Sequence, residues 1–133
     1  MSKIHIVDTA TFEKSTWQFR SDGIVVVTIK KNVHIELQDS MAEERYLRRE
    51  MARYLPMKLM IIPGEGASVS KEVRDYSNRP EAKSMIKAEA IVVNSLAHKI
   101  MANFITKFYK TPMPIKVFND QDSALDWLIN FDE

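Results

Sequence analysis

The fold is decided by Met57-Lys58-Leu59-Met60-Ile61-Ile62, then Pro63-Gly64-Glu65-Gly66-Ala67-Ser68-Val69-Ser70, then a helical region, then Glu89-Ala90-Ile91-Val92-Val93-Asn94. The two flanking runs are short and almost continuously apolar, the pattern of strands buried on both faces. Strand, helical crossover and strand make a βαβ unit, and such a crossover is nearly always right-handed. Within the crossover, Ser68 or Ser70 is a credible N-cap for a helix carrying Val73 and Tyr76. Asn78-Arg79-Pro80-Glu81 breaks that helix and starts a second, since proline suits a first helical turn. Ala82, Met85 and Ile86 are expected to continue its buried side.

The remaining chain adds to this unit on both sides. Residues 1–15 read either as a loosely held terminus or, through Ile4 and Ile6, as a short strand. Trp17-Gln18-Phe19-Arg20, the turn Ser21-Asp22-Gly23 and the β-branched run Ile24-Val25-Val26-Val27-Thr28-Ile29 predict a hairpin. Val33, Ile35 and Leu37 alternate with polar residues as a short half-buried strand. Ser40-Met41-Ala42-Glu43 matches a capping box, opening a helix with an apolar stripe of Leu47, Met51, Tyr54 and Leu55 that Pro56 stops. On another face, Arg45, Arg49 and Arg53 form either a docking strip or, more simply, a solvated face, with Glu44 placed to pair with Arg48. Ser95 caps a helix over 96–109 with Ala97, Ile100, Met101, Phe104 and Phe108 as its core face and Lys107 and Lys110 at its end. Thr111-Pro112-Met113-Pro114 is a stiff connector to the strand Ile115-Lys116-Val117-Phe118. Asn119-Asp120 caps a last helix with Ala124, Leu125, Trp127, Leu128 and Phe131. The expectation is one α/β domain over residues 1–133, with a mixed sheet of about five strands, an N-terminal hairpin and about four flanking helices.

Composition narrows the function classes. The chain has 133 residues, 45% hydrophobic and 28% charged, with a formal net charge of +1 and no cysteine. Thiol chemistry, disulfides and zinc–thiolate sites are excluded. Near-zero net charge gives no field to draw nucleic acid, and the aromatic residues form no stacking platform for it. No apolar run approaches membrane-spanning length, and no export signal is visible, so a cytoplasmic protein is expected. His5, His34 and His98 share no ligand spacing, so no metal is expected and surface or interface histidines are the simpler reading. Gly64-Glu65-Gly66-Ala67-Ser68-Val69 lacks the third glycine of a dinucleotide fingerprint and the lysine of a P-loop. No cofactor is expected. No serine stands in a nucleophile elbow, and an exposed helix face explains Glu72 and Asp75. Met51, Met57, Met60, Met85, Met101 and Met113 either line an adaptable apolar pocket or, more simply, fill the core.

Several of these stretches resemble one family. Ser21-Asp22-Gly23-Ile24-Val25, Ser70-Lys71-Glu72-Val73-Arg74, Asn103-Phe104, and above all Pro112-Met113-Pro114-Ile115-Lys116-Val117-Phe118 with Ala124-Leu125-Asp126-Trp127-Leu128, make the chain similar to small bacterial STAS-like proteins. These are relatives of anti-sigma-factor antagonists, grouped loosely with Sec14-like domains. The resemblance runs from about Trp17 to the end and implies a non-enzymatic regulatory module that binds a protein partner. It also implies a serine at the start of the helix after a central strand that a kinase phosphorylates, here Ser68 or Ser70. The acidic residue that usually precedes such a serine is replaced by Ala67 or Val69. Gly64, Glu65, Gly66, Lys71, Glu72, Arg74 and Tyr76 complete the expected partner surface. The two-glycine turn is expected to crown the sheet and offer backbone amides and hydroxyls to a visitor. The Sec14 association implies an alternative, a carrier of a small apolar ligand or lipid. A homodimer is compatible, because sheet edges need protection.

Overall fold

The computed structural model describes residues 3–93, 95–108 and 113–131, with side chains for all of these but 104–108. Strands β1 (Ile6–Thr11), β2 (Ser15–Arg20) and β3 (Ile24–Ile29) form an antiparallel meander. The β2–β3 turn works as its sequence demands. Gly23 takes a φ of +88° and its N–H donates to the Arg20 carbonyl, while the Asp22 carboxylate accepts from the Ile24 N–H. β3 then pairs in parallel with β5 (Met57–Ile62), β5 with β7 (Ile86–Val92), and β7 with β8 (Ile115–Phe118), giving the order β1-β2-β3-β5-β7-β8. A separate parallel pair joins β4 (His34–Ile35) to β6 (Ser68–Val69).

The two faces of the sheet are sorted by strand periodicity. On one face, Ile24, Met60, Ala88, Ala90 and Val92 pack with Ala124 and Leu128 of α5 (Gln121–Ile129). The small alanines of β7 let α5 approach closely, and Lys58 donates to the carbonyls of Leu128 and Phe131 at that helix's end. On the other face, Phe19, Val25, Val27, Met57 and Leu59 pack with Leu47 of α1 (Leu37–Glu50), with Met51 and with Met85. The crossover elements α2 (Lys71–Ser77), α3 (Pro80–Lys83) and α4 (Leu96–Phe108) complete the fold.

Several expectations are corrected. The main sheet has six strands rather than about five, because residues 6–11 form an edge strand with Ala10 in the core instead of a loose terminus. The expected break at Pro80 does separate α3 from α2, which brings the α-helices among the described residues to five. The helix expected at Ser40 begins at Leu37, with Glu36 as N-cap and Asp39 closing the box, so Leu37 is helical and β4 is only two residues long. Tyr54 falls in a 3-10 turn, Ala52–Tyr54, beyond the end of α1. Met85 and Ile86 are not helical: α3 lasts four residues, and Ile86 opens β7 by pairing with Met57. The core face of α4 is also misassigned, for Ile100 is 61% exposed and Ala102 is buried instead. Asn94, the side chains of Phe104, Lys107 and Phe108, and residues 109–112 lie outside the described residues.

Candidate ligand-binding cavity

Between the sheet and its crossover helices lies a cavity of about 460 Å³. Its floor is the strand face carrying Trp17, Val27, Leu59, Ile61, Ile91 and Ile115. Its walls come from α1 (Ser40, Glu43), from the 63–69 segment (Pro63, Ala67, Ser68, Val69) and from α2 (Val73, Arg74, Ser77). The fourth side is α4, through Ala97, His98, Met101 and Ala102. Ala97 and Met101 are both solvent-exposed and cavity-lining, so the mouth runs along α4.

The walls are apolar, but ionisable groups reach into them. Glu43 is one turn before the buried Leu47 and so projects inward from α1. Burial pushes its carboxyl up to about 7, offset in part by the Ser15 hydroxyl, which donates to Oε2 at 3.2 Å. The Trp17 indole N–H donates in turn to that hydroxyl at 3.1 Å. The charge of Asp39 raises Glu43 further and that of Lys14 lowers it, the two being joined by an ion pair at 2.7 Å. Glu89 lies on interior strand β7, where burial also pushes it up to about 7, with Lys83 opposing. Lys83 is itself lowered by burial, with Glu89 opposing. Glu89 is half-buried by surface yet surrounded by protein, because the surface it keeps faces the cavity.

The groups anticipated from the sequence fall into two sets. Ala67, Ser68 and Arg74 form part of the wall, whereas Lys71 and Glu72 are exposed on α2 and Tyr76 stacks under Arg79 at 3.7 Å. Ser70 is the N-cap of α2, accepting from the Val73 N–H at 3.2 Å. Ser68 is not a cap. It lies exposed in β6, its hydroxyl sharing a 2.7 Å hydrogen bond with His34 Nδ1. The glycine turn does stand at the end of the sheet, with Glu65 and Gly66 exposed. Yet it offers fewer amides than expected. The N–H groups of Ala67, Ser68 and Ser70 donate to the carbonyls of Gly64, Val33 and Ile35.

The methionine expectation divides similarly. Met51, Met57, Met60 and Met85 are core residues, and Met101 and Met113 line the cavity. His98 is not a surface histidine. Its Nε2–H donates to the Ala67 carbonyl at 3.1 Å, which leaves Nδ1 buried without a partner. His34 and His5 are exposed. No group of residues able to hold a metal occurs among the described residues. Nor, among them, is any helix long and apolar enough to cross a membrane. Glu43 and Glu89 escaped the sequence reading as site residues, the first absorbed into a capping box and the second taken for a strand boundary.

Residues 18–132 match a family described as a domain of unknown function, DUF7793. The curated proteins yield no match. Among solved structures, the chain is similar to an uncharacterised protein of the DUF3478 family with a SpoIIAA-like fold from Shewanella loihica PV-4. The likeness covers 96% of this chain and 98% of that one, with 18% identity and a TM-score of 0.59. At this identity the likeness speaks for the fold, and the STAS-like architecture read from the sequence is borne out.

Proposed function

This chain belongs to the DUF7793 family, and we propose that it is a non-enzymatic binding module holding a small, largely apolar ligand between its sheet and crossover helices. The observation that carries this reading is the cavity of about 460 Å³, a volume within the range of small-molecule sites. The space opens to solvent along α4, so its alternative occupant is water. Water in it would find few polar partners along the apolar floor. An occupant with an apolar body displaces that water. Native mass spectrometry of protein purified gently from its native host tests this. One small molecule per chain, released on denaturation, is expected. Bare protein that also takes up no apolar probe would overturn the reading.

A second reading concerns the segment from Gly64 to Tyr76, including Glu65, Gly66, Ser70, Lys71, Glu72 and Arg74, as the face a protein partner meets. The exposure of Ser68 beside His34 favours it. Phosphorylation there would add nearly two negative charges to a cavity wall, and so switch partner and ligand together. Equal capture of partners by the wild type and by Ser68→Asp would count against the switch.

A further inference from the structure

Glu89 occupies an unusual place. It stands on an interior strand, opposite Leu59 of β5 and Ile115 of β8, and all three border the cavity. Among the described residues its carboxylate has no hydrogen-bond or ion-pair partner. A carboxylate without a donor in an apolar setting is costly, and native structures seldom leave one so. The other polar groups around the cavity lean the same way. Glu43 uses Oε2 for Ser15 and has Oε1 to spare. Asn78 Oδ1 is a buried acceptor without a donor, and so is His98 Nδ1 while Nε2–H donates to Ala67.

The donors facing these acceptors do not close the account. Arg74 reaches in from α2, but its Nη1 is tied to the Val69 carbonyl at 3.1 Å and its Nε is buried without an acceptor. Lys83 at the end of α3 acts on Glu89 through its charge without bonding to it. Lys14, behind Glu43, is taken by Asp39. Arg74 Nε and the Lys83 ammonium are open donors of the lining, but neither lies within hydrogen-bond distance of the Glu89 carboxylate.

We propose that the occupant is an amine: a small molecule with an apolar body and a protonated nitrogen seated against Glu89. This rests on the ligand-binding reading above and adds the head group to it. A protonated nitrogen supplies two or three donors and neutralises a buried carboxylate at once. A carboxylate head would bring like charge to Glu43 and Glu89, and a hydrocarbon would leave Glu89 without a donor. Burial favours the neutral carboxyl of Glu89, so an ammonium seated there binds its ionised form and binds more tightly as pH rises through about 7.

The test compares three probes with one body and different heads: decylamine, decanol and decanoate, each below its micelle-forming concentration. Calorimetric titration is run on the wild type and on Glu89→Gln. At pH 8, decylamine is expected to bind the wild type at least about tenfold more tightly than decanol, and decanoate most weakly. Glu89→Gln should keep decanol binding, which also reports its folding, and lose most of the amine preference. Decylamine affinity in the wild type should rise about tenfold from pH 6 to pH 8 as the carboxyl, near 7, becomes ionised, with decanol unchanged. Decanol or decanoate binding as tightly as the amine, or a preference that survives Glu89→Gln, would overturn the head-group assignment and leave the cavity reading standing. Should the variant fail to fold, the head-group order and pH dependence in the wild type decide alone. Failure of all three probes to bind would overturn the cavity reading and this inference with it.

Discussion

Glu43 and Glu89 tie stability to pH in a direction opposite to that of most surface carboxylates. Each is near 7 in the folded chain against an ordinary value of 4.5, because burial disfavours the charged form. Below 4.5 both states hold the proton. Between 4.5 and 7 the unfolded chain releases it while the folded chain does not, so stability falls as pH rises. Above 7 the loss is complete, on the order of 3 kcal/mol for each group. Asp39 and Asp120 work the other way. Asp39 is lowered despite burial by its bonds to Lys14 and to the Glu36 backbone, and Asp120 by the Ser123 backbone. Urea melts should therefore show Glu89→Gln more stable than the wild type at pH 8, with the advantage gone near pH 4.5. An unchanged difference between the two pH values would mean that the carboxyl is not buried as described. The sequence carried a signal for this residue. Ala88, Ala90 and Val92 alternate onto the α5 face, which puts Glu89 and Ile91 together on the other. The signal was lost because the strand was begun at Glu89, where a charge looks like an ending.

At the scale of elements, legibility followed local chemistry. The Asp22-Gly23 turn, the Ser70 cap, the Ser95 cap accepting from the His98 N–H and the Asp120 cap all sit where their side chains call for them. Starts and ends set by long-range pairing did not show. β7 begins at Ile86 because Met57 offers it a partner, and nothing local distinguishes Ile86 from a helix residue. The helix start at Leu37 was hidden by a second box pattern, Ser40 to Glu43, four residues after the one that Glu36 and Asp39 make. Gly64 was read as a loop residue, but its role is close packing. A Cβ there would lie 2.5 Å from the Ile29 carbonyl oxygen and 2.6 Å from the Lys30 carbonyl carbon, both backbone atoms that cannot swing away. Gly64→Ala should thus push the cavity wall off the end of β3 and cost about 1–3 kcal/mol in chemical denaturation. A loss no larger than a few tenths would show that the 63–69 segment is loosely seated.

For the whole molecule, the architecture was legible because apolar runs and breakers alternate along the chain, and the SpoIIAA-like neighbour agrees with it. The cavity was not, for a void is a property of how layers fail to meet, and no periodicity records it. The sequence supplied only the alternative of an apolar pocket, and the methionines it pointed to fill the core more than they line the space. Ala102 is the residue through which to question the cavity itself, being buried on α4 and part of its wall. The decisive measurement is an equilibrium titration of decylamine into the wild type and into Ala102→Phe, with thermal melts to confirm that both are folded. The account predicts one saturable site in the wild type and affinity at least about tenfold weaker in the variant, whose ring occupies the ligand's space. Equal affinity in two folded proteins would place the ligand elsewhere and contradict it.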